Sequence, residues 1–214
     1  MTKIALEQVY PLYLEPEKTE RSQVWNEQVS FTKGEKIQIV APSGSGKTSF
    51  IHFIYGMRKE YSGRILFENK NIAQFNTEET ANYRASQISI IFQDLRLFPD
   101  QTVMENIEVK RILKPFHDKK RMIEMAEILG IGKKLDKPAK TCSYGEQQRI
   151  AIIRSLQQPF DFLLMDEPFS HLDENNRSIA MQLINEEAAK RKAAIILADL
   201  KKIEQFDAEK ILYL

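Results

Sequence analysis

Two carboxylates, Asp166 and Glu167, stand side by side after the apolar run Phe162-Leu163-Leu164-Met165, with Pro168 next. A pair placed at the carboxyl end of a buried strand can divide its labour. Asp166 is suited to hold a magnesium ion, directly or through water, while Glu167 orients and polarises an attacking water. A second chemical stretch lies upstream, at Ala41-Pro42-Ser43-Gly44-Ser45-Gly46-Lys47-Thr48, followed by Ser49. Its small residues let consecutive backbone N–H groups converge on an anion, and a helix opening near Lys47 points its positive end at the same place. Lys47 adds a point charge for the outer phosphates, and the Thr48 hydroxyl can ligate the magnesium ion that travels with a nucleoside triphosphate. Ala41 departs from the GxxxxGK[ST] pattern at its first glycine. If that position needs positive φ, alanine costs about 1 kcal/mol.

A third stretch, Cys142-Ser143-Tyr144-Gly145-Glu146-Gln147-Gln148-Arg149, places Ser143 three residues before Glu146. That spacing is a capping box, so a helix is expected to start here and run through Ile150, Ile153 and Leu156. A helix N-terminus with a serine hydroxyl is also suited to an anion. Gln93 is a lone glutamine after the apolar Ile91-Phe92.

The elements that must position these groups follow from periodicity. Residues 4 to 14 suggest an opening strand with Tyr10 and Tyr13 near its end, Glu15 to Arg21 a loop, and Gln23 to Phe31 a second alternating run. Ile37 to Val40 reads as the strand before the cradle. Ser62-Gly63 is expected to turn the chain into a strand over Arg64 to Asn69, Thr77 to Ala85 to be helical, and Ile88 to Phe92 to be a strand buried on both faces. From Asp94 to about Gln158 helical patterns dominate. Met122, Met125, Ala126 and Leu129 fall at i, i+3, i+4 and i+7, the spacing of packing residues on one helix face. The strand pattern then resumes over Phe160 to Met165 and Ala193 to Ala198, separated by a helix with Ala180, Leu183, Ile184 and Ala188 on one face, and Lys210 to Leu214 reads as a last strand. Such alternation predicts an α/β fold with a mostly parallel sheet and crossover helices. The core is expected over 1–93 and 159–214, with a helical insert over about 94–158.

With 214 residues, 31 Lys plus Arg against 30 Asp plus Glu, and net charge +1, the chain lacks the broad basic footprint of a nucleic-acid binder. Cys142 is the only cysteine, so no intrachain disulfide forms and a reducing, cytosolic setting is expected. No apolar run reaches the roughly 20 residues a bilayer span needs, so membrane contact is expected to come through a partner.

The order of these features, from cradle to lone glutamine to capping box to paired carboxylates, resembles the ATP-binding subunits of ABC transporters over essentially the whole chain. Residues 41–48 resemble the Walker A motif, Gln93 the Q-loop glutamine, Ser143 to Arg149 the signature motif and Phe162 to Glu167 Walker B. Ser170-His171-Leu172-Asp173 is similar to the D-loop. Within the family, Ile91 to Asp94, Thr102 to Ile107 and Gly145 to Arg149 look most like the lipoprotein-releasing, macrolide-export and cell-division group.

The resemblance implies a P-loop NTPase core with an antiparallel β subdomain, ATP and Mg2+ as ligands, and slow ATP hydrolysis. It implies a second ATP-binding subunit, identical or not, that closes head to tail, and a separate membrane permease that holds the chain at the inner face of the membrane. Ser143, Gly145, Glu146 and Asp173 would then serve an ATP across the dimer, Gln93 would report on magnesium and the attacking water, and Tyr10 or Tyr13 would stack on adenine. Tyr144 stands where the family usually has glycine, and Cys142 where it often has leucine. The family also expects a histidine after the strand that follows the D-loop; Ala198 or Asp199 occupies that place. His52, His117 and His171 all lie upstream of it.

Overall fold

The computed structural model describes residues 2–15, 19 and 21–214. These residues build two sheets. β1 (Lys3–Pro11), β2 (Gln28–Thr32), β4 (Tyr61–Phe67) and β5 (Lys70–Asn71) form an antiparallel sheet in the order β2-β1-β4-β5. β3 (Lys36–Val40), β6 (Ile88–Ile91), β7 (Phe162–Asp166), β8 (Ala194–Asp199) and β9 (Lys210–Tyr213) form a parallel sheet in the order β6-β7-β8-β3-β9. β6 and β7 are buried along their whole length, as continuous apolar runs in a sheet covered on both faces should be. The registers pair Val40 with Asp199 and Asp166 with Ala198, so the cradle, the carboxylate pair and the end of β8 share one edge.

Among the described residues, six α-helices complete the fold: α1 (Lys47–Ile54), α2 (Thr77–Ser86), α3 (Val103–Leu113), α4 (Lys119–Ile128), α5 (Tyr144–Ser155) and α6 (Glu174–Arg191). Short polar side chains set their starts. Asn76, Thr102 and Ser143 each close a capping box, and Asp118 and Asp173 accept from the first turns of α4 and α6. The segment between β6 and β7 carries α3, α4 and α5. One apolar core lies between the two sheets around Phe31, Phe50, Phe53 and Trp25; the other joins the parallel sheet to α3–α6. Met122 and Met125 are fully buried in the second, as packing residues.

Several element boundaries differ from those the periodicity suggests. The opening strand ends at Pro11, so Tyr13 lies in the loop beyond it. Gln23 to Glu27 is not strand: the Ser22 hydroxyl accepts from the N–H groups of Val24 at 3.1 Å and Trp25 at 2.8 Å, and Asn26 takes a left-handed φ of 60°. Val24 and Trp25 are both buried in this turn, consecutive residues that a half-buried strand would send to opposite faces. Ser62 and Gly63 lie inside β4, where the ladder shifts register opposite Gln8. At φ 81° Gly63 brings the backbone so close that a Cβ would stand 2.2 Å from the Gln8 carbonyl oxygen, so its role is a bulge and not a turn. Of the expected loop Glu15 to Arg21, residues 16–18 and 20 lie outside the described residues.

Candidate nucleotide-binding site

The chain leaves β3 at Val40, turns through residues 41–46 and enters α1 at Lys47. Within this turn Ser45 folds back, its hydroxyl donating to the Pro42 carbonyl at 2.8 Å. Gly46 caps α1 at φ 92°, and a Cβ there would sit 2.9 Å from Leu14 Cδ1 and 3.2 Å from the Trp25 ring. Conformation and space both require glycine. Ala41 does not adopt positive φ; it is fully buried, and its N–H donates to the Asp199 carbonyl at 2.9 Å. The strain that positive φ would have imposed on alanine is therefore absent.

A cleft of 290 Å³ opens over this turn. Tyr13, Leu14, residues 42–44 and 46–49, Gln93, Glu167 and Leu200 line it. In it the chain gathers Lys47 and Thr48 from α1, Gln93 from the loop after β6 and Glu167 from the loop after β7. The Lys47 ammonium pairs with the Glu167 carboxylate and stands 3.7 Å from Asp166 Oδ1. Gln93 Nε2 donates to Glu167 Oε1 at 3.3 Å, and the Thr48 hydroxyl donates to Gln93 Oε1 at 3.3 Å. Glu167 holds a left-handed φ of 45°, uncommon for a residue with a side chain, and its N–H donates to the Ala198 carbonyl at 3.0 Å. Burial lowers the Lys47 pKa against the pull of Asp166 and Asp199, and it pushes the Asp166 carboxyl up against the Thr48 hydroxyl and the Lys47 charge. Neither Asp166 oxygen accepts a hydrogen bond, although the side chain is 1% exposed. A buried carboxylate with both oxygens unspent, beside a hydroxyl and an amide oxygen, fits a hard divalent cation.

The two tyrosines part company here. Tyr10 points its hydroxyl at the Leu14 carbonyl, 2.8 Å away, and packs against the core between the sheets. Tyr13 lines the cleft and is 46% exposed.

Ser143, Gly145, Glu146 and Asp173 do not line this cleft. Ser143 and Glu146 cap α5, Gly145 lies against the His171 carbonyl, and Asp173 caps α6 through the Asn176 N–H at 2.8 Å. Tyr144 is exposed and sets its ring edge to face on His171, with centroids 4.1 Å apart. At the end of β8, Ala198 is buried in the core. Asp199 lines a neighbouring cavity with Glu167 and Arg177, so Asp199 holds the side-chain position that faces the site. Burial pushes its carboxyl up.

Sequence reasoning missed three contributors. Trp25, the only tryptophan, floors the cradle and donates to the Ser45 carbonyl at 3.0 Å. Leu14 shields Gly46, and the buried Gln148 ties α5 to the Glu167 loop. A lone tryptophan inside an apparent strand was the one available signal.

A family model described as ABC transporter matches residues 25–170. The chain belongs to the ABC transporter family. It is 32% identical over 190 residues to the lipoprotein-releasing system ATP-binding protein LolD of Legionella pneumophila (strain Lens), covering 86% of this chain and 84% of that protein. It is 33% identical over 177 residues to the cell division ATP-binding protein FtsE of Bacillus subtilis (strain 168), covering 81% and 77%. These relatives place it with the nucleotide-binding subunits of the LolD and FtsE group. Among solved structures, a dimeric post-hydrolysis state of the ATP-binding cassette MJ0796, bound to ADP and Pi, superposes with TM-score 0.84 at 25% identity, over 99% of this chain and 94% of that one. The fold is accordingly the P-loop NTPase α/β fold, and the chain is an ATP-binding cassette subunit. Among the described residues, no helix is long and apolar enough to cross a membrane.

Proposed function

We propose that this chain binds ATP in the cleft over residues 41–49, hydrolyses it slowly, and so drives a separate membrane permease. The observation that carries this is the convergence of Lys47, Glu167, Gln93 and Thr48 beside a buried Asp166 carboxylate whose oxygens accept no hydrogen bond. The backbone of residues 42–48 and Lys47 hold the phosphates. Thr48, Gln93 and Asp166 are the residues that would hold magnesium, whose charge helps neutralise the outer phosphates. In the ligand-free chain Lys47 neutralises Glu167. An arriving phosphate competes for that ammonium and frees the carboxylate to accept a proton from the attacking water, with Gln93 beside it to orient the reactants.

Ser143, Gly145, Glu146 and Asp173 lie outside this chain's own cleft, which suits residues that serve a nucleotide held by a second cassette. The solved relative is dimeric. Residues 94–158 would then act as a helical subdomain that carries the signature helix against the partner. The permease would keep the chain cytoplasmic, peripheral on the inner face of the membrane. A second reading, an ATP-binding switch that closes but turns over poorly, draws on Asp199 at the end of β8 and on Tyr144.

Steady-state hydrolysis with magnesium, measured beside Glu167→Gln, separates the two. Clear turnover abolished by the substitution supports the motor; tight ATP binding without turnover supports the switch. Recovery of DNA or ribosomes but no membrane protein, in a pull-down from solubilised membranes, would refute the transport role.

A further inference from the structure

The Tyr13 ring is held from outside the nucleotide cleft by a residue that no motif includes. The guanidinium carbon of Arg58 lies 4.7 Å from the Tyr13 ring centroid. Arg58 Nη1 donates to Ser49 Oγ at 3.1 Å, and the Tyr13 hydroxyl pairs with the same oxygen. Ser49 lies in the first turn of α1, directly after Lys47 and Thr48, so the aromatic ring and the phosphate cradle meet at one hydroxyl. Arg58 is itself oriented: its Nε donates to Glu60 Oε2 at 3.3 Å, and the Glu60 carbonyl accepts from the Leu12 N–H at 3.1 Å, which pins the Tyr13 loop to the segment after α1.

We infer that Arg58 is a positioning residue for the nucleobase: it backs one face of Tyr13 and fixes the ring so that the other face receives the purine. This deepens the reading of the cleft as an ATP site and rests on it. Tyr13 lies in a loop, and an unsupported ring there would have to be ordered when the base arrives. A cationic plane held against it removes that cost beforehand, and cation–π contact at a partly exposed site is worth about a threefold to fivefold change in affinity. Arg58 is suited to this in a way lysine is not, because its planar fork can lie on the ring while it bonds Ser49 and Glu60. The cradle does not need it: Lys47 and the backbone of residues 42–48 hold the phosphates.

The test is equilibrium binding by calorimetry of ATP and of inorganic tripolyphosphate, which carries the phosphates without the base. The proteins are wild type, Arg58→Ala, Arg58→Lys, Tyr13→Ala and the Tyr13→Ala/Arg58→Ala pair. Arg58→Gln substitutes for Arg58→Ala should the latter fail to fold by thermal melt. Arg58→Ala is expected to weaken ATP about threefold to tenfold and leave tripolyphosphate within about twofold. Arg58→Lys should restore only part of the loss, and Arg58→Ala should add nothing once Tyr13 is gone. Equal weakening of both ligands would overturn the inference, because Arg58 would then act as a charge near the phosphates. Unchanged ATP affinity, or additive losses in the double variant, would overturn it as well. Wild-type protein that binds neither ligand would overturn the ATP-site reading itself, and this inference with it.

Discussion

The side-chain amide of Gln148, on the helix that Ser143 caps, donates to the backbone carbonyl of Glu167 at 3.2 Å. The same amide group reaches Ser170 Oγ at 3.4 Å and accepts from the His171 N–H at 3.0 Å. Gln148 is buried, so one side chain fixes the left-handed turn that carries the Glu167 carboxylate and the loop after it.

Truncating this link removes the side-chain donor to the Glu167 carbonyl, which keeps only the Ser170 N–H at 3.4 Å, and the acceptor of the His171 N–H, both bonds being partly buried. Gln148→Ala should therefore cost about 1–3 kcal/mol of stability in urea unfolding. Hydrolysis should fall more than binding does, because the cradle is untouched while the carboxylate loses its register. Turnover lowered about tenfold with ATP affinity within about twofold is the expected split. Equal losses in both would mean that the glutamine supports the cleft as a whole.

Tyr144 presents an exposed ring from the first turn of α5, held edge to face on His171 of the same chain. If a second cassette's nucleotide must approach the backbone at Ser143 and Gly145, that ring stands in the way. Tyr144→Gly should strengthen ATP-dependent dimerisation about tenfold, read by light scattering in the Glu167→Gln background, despite about 1 kcal/mol lost from helix propensity. Unchanged or weaker association would mean that the Tyr144–His171 pair is itself part of the interface.

The site was legible in sequence wherever one short stretch supplied a whole structural unit. Residues 41–48 carry strand end, turn and helix start together, and Ser143 with Glu146 carries a complete cap. The parallel core was legible because strands buried on both faces, such as Ile88–Ile91 and Phe162–Asp166, are unbroken apolar runs. What escaped depends on partners far apart in the chain. Gln148 looks like any helix glutamine until Glu167 and His171 fold against it, and Arg58 like a solvated charge until Tyr13 arrives. The Trp25 turn resembles a strand in sequence, but the Ser22 hydroxyl, a local competitor of the ladder, holds Val24 and Trp25 in a turn that buries both, where a strand would send them to opposite faces.

Asp199 ends β8 with its carboxylate beside the Glu167 and Arg177 side chains that share its cavity. An acid here can only add negative charge where a phosphoryl transfer already concentrates it, whereas an imidazole can donate a hydrogen bond. Asp199→His should therefore raise turnover, by about tenfold or more if the new donor reaches the transferring group. The check is steady-state hydrolysis of the single variant against the Asp199→His/Glu167→Gln pair, which should remain inactive. A single variant no faster than wild type would show that Asp199 does not limit the reaction.

Glu187 on α6 is fully buried among four cationic or potentially cationic side chains: Arg121 at 3.0 Å, Lys190 at 2.7 Å, Arg191 at 2.8 Å and His117. Arg191 also stacks its guanidinium 3.6 Å from the Phe116 ring centroid and donates to the Leu156 carbonyl at 2.7 Å, so the cluster ties α6 to the helical segment. Burial alone would raise the Glu187 pKa. The hydrogen bonds from His117, Lys190, Arg191 and Arg121 outweigh it and hold the carboxyl well below its ordinary value of 4.5. The sign follows from linkage: the folded chain binds this proton less readily than the unfolded one, so the cluster's contribution is complete above about pH 4.5 and fades as pH falls from there towards the folded value. Glu187→Gln should cost about 3 kcal/mol at pH 7, because it strands buried cations. The gap between variant and wild type in urea unfolding should narrow steadily below pH 4.5. A gap that stays constant down to pH 3 would place the cluster's contribution in the packing of Arg191 against Phe116 and against Phe160, whose ring centroid lies 4.5 Å from its guanidinium carbon, and not in charge.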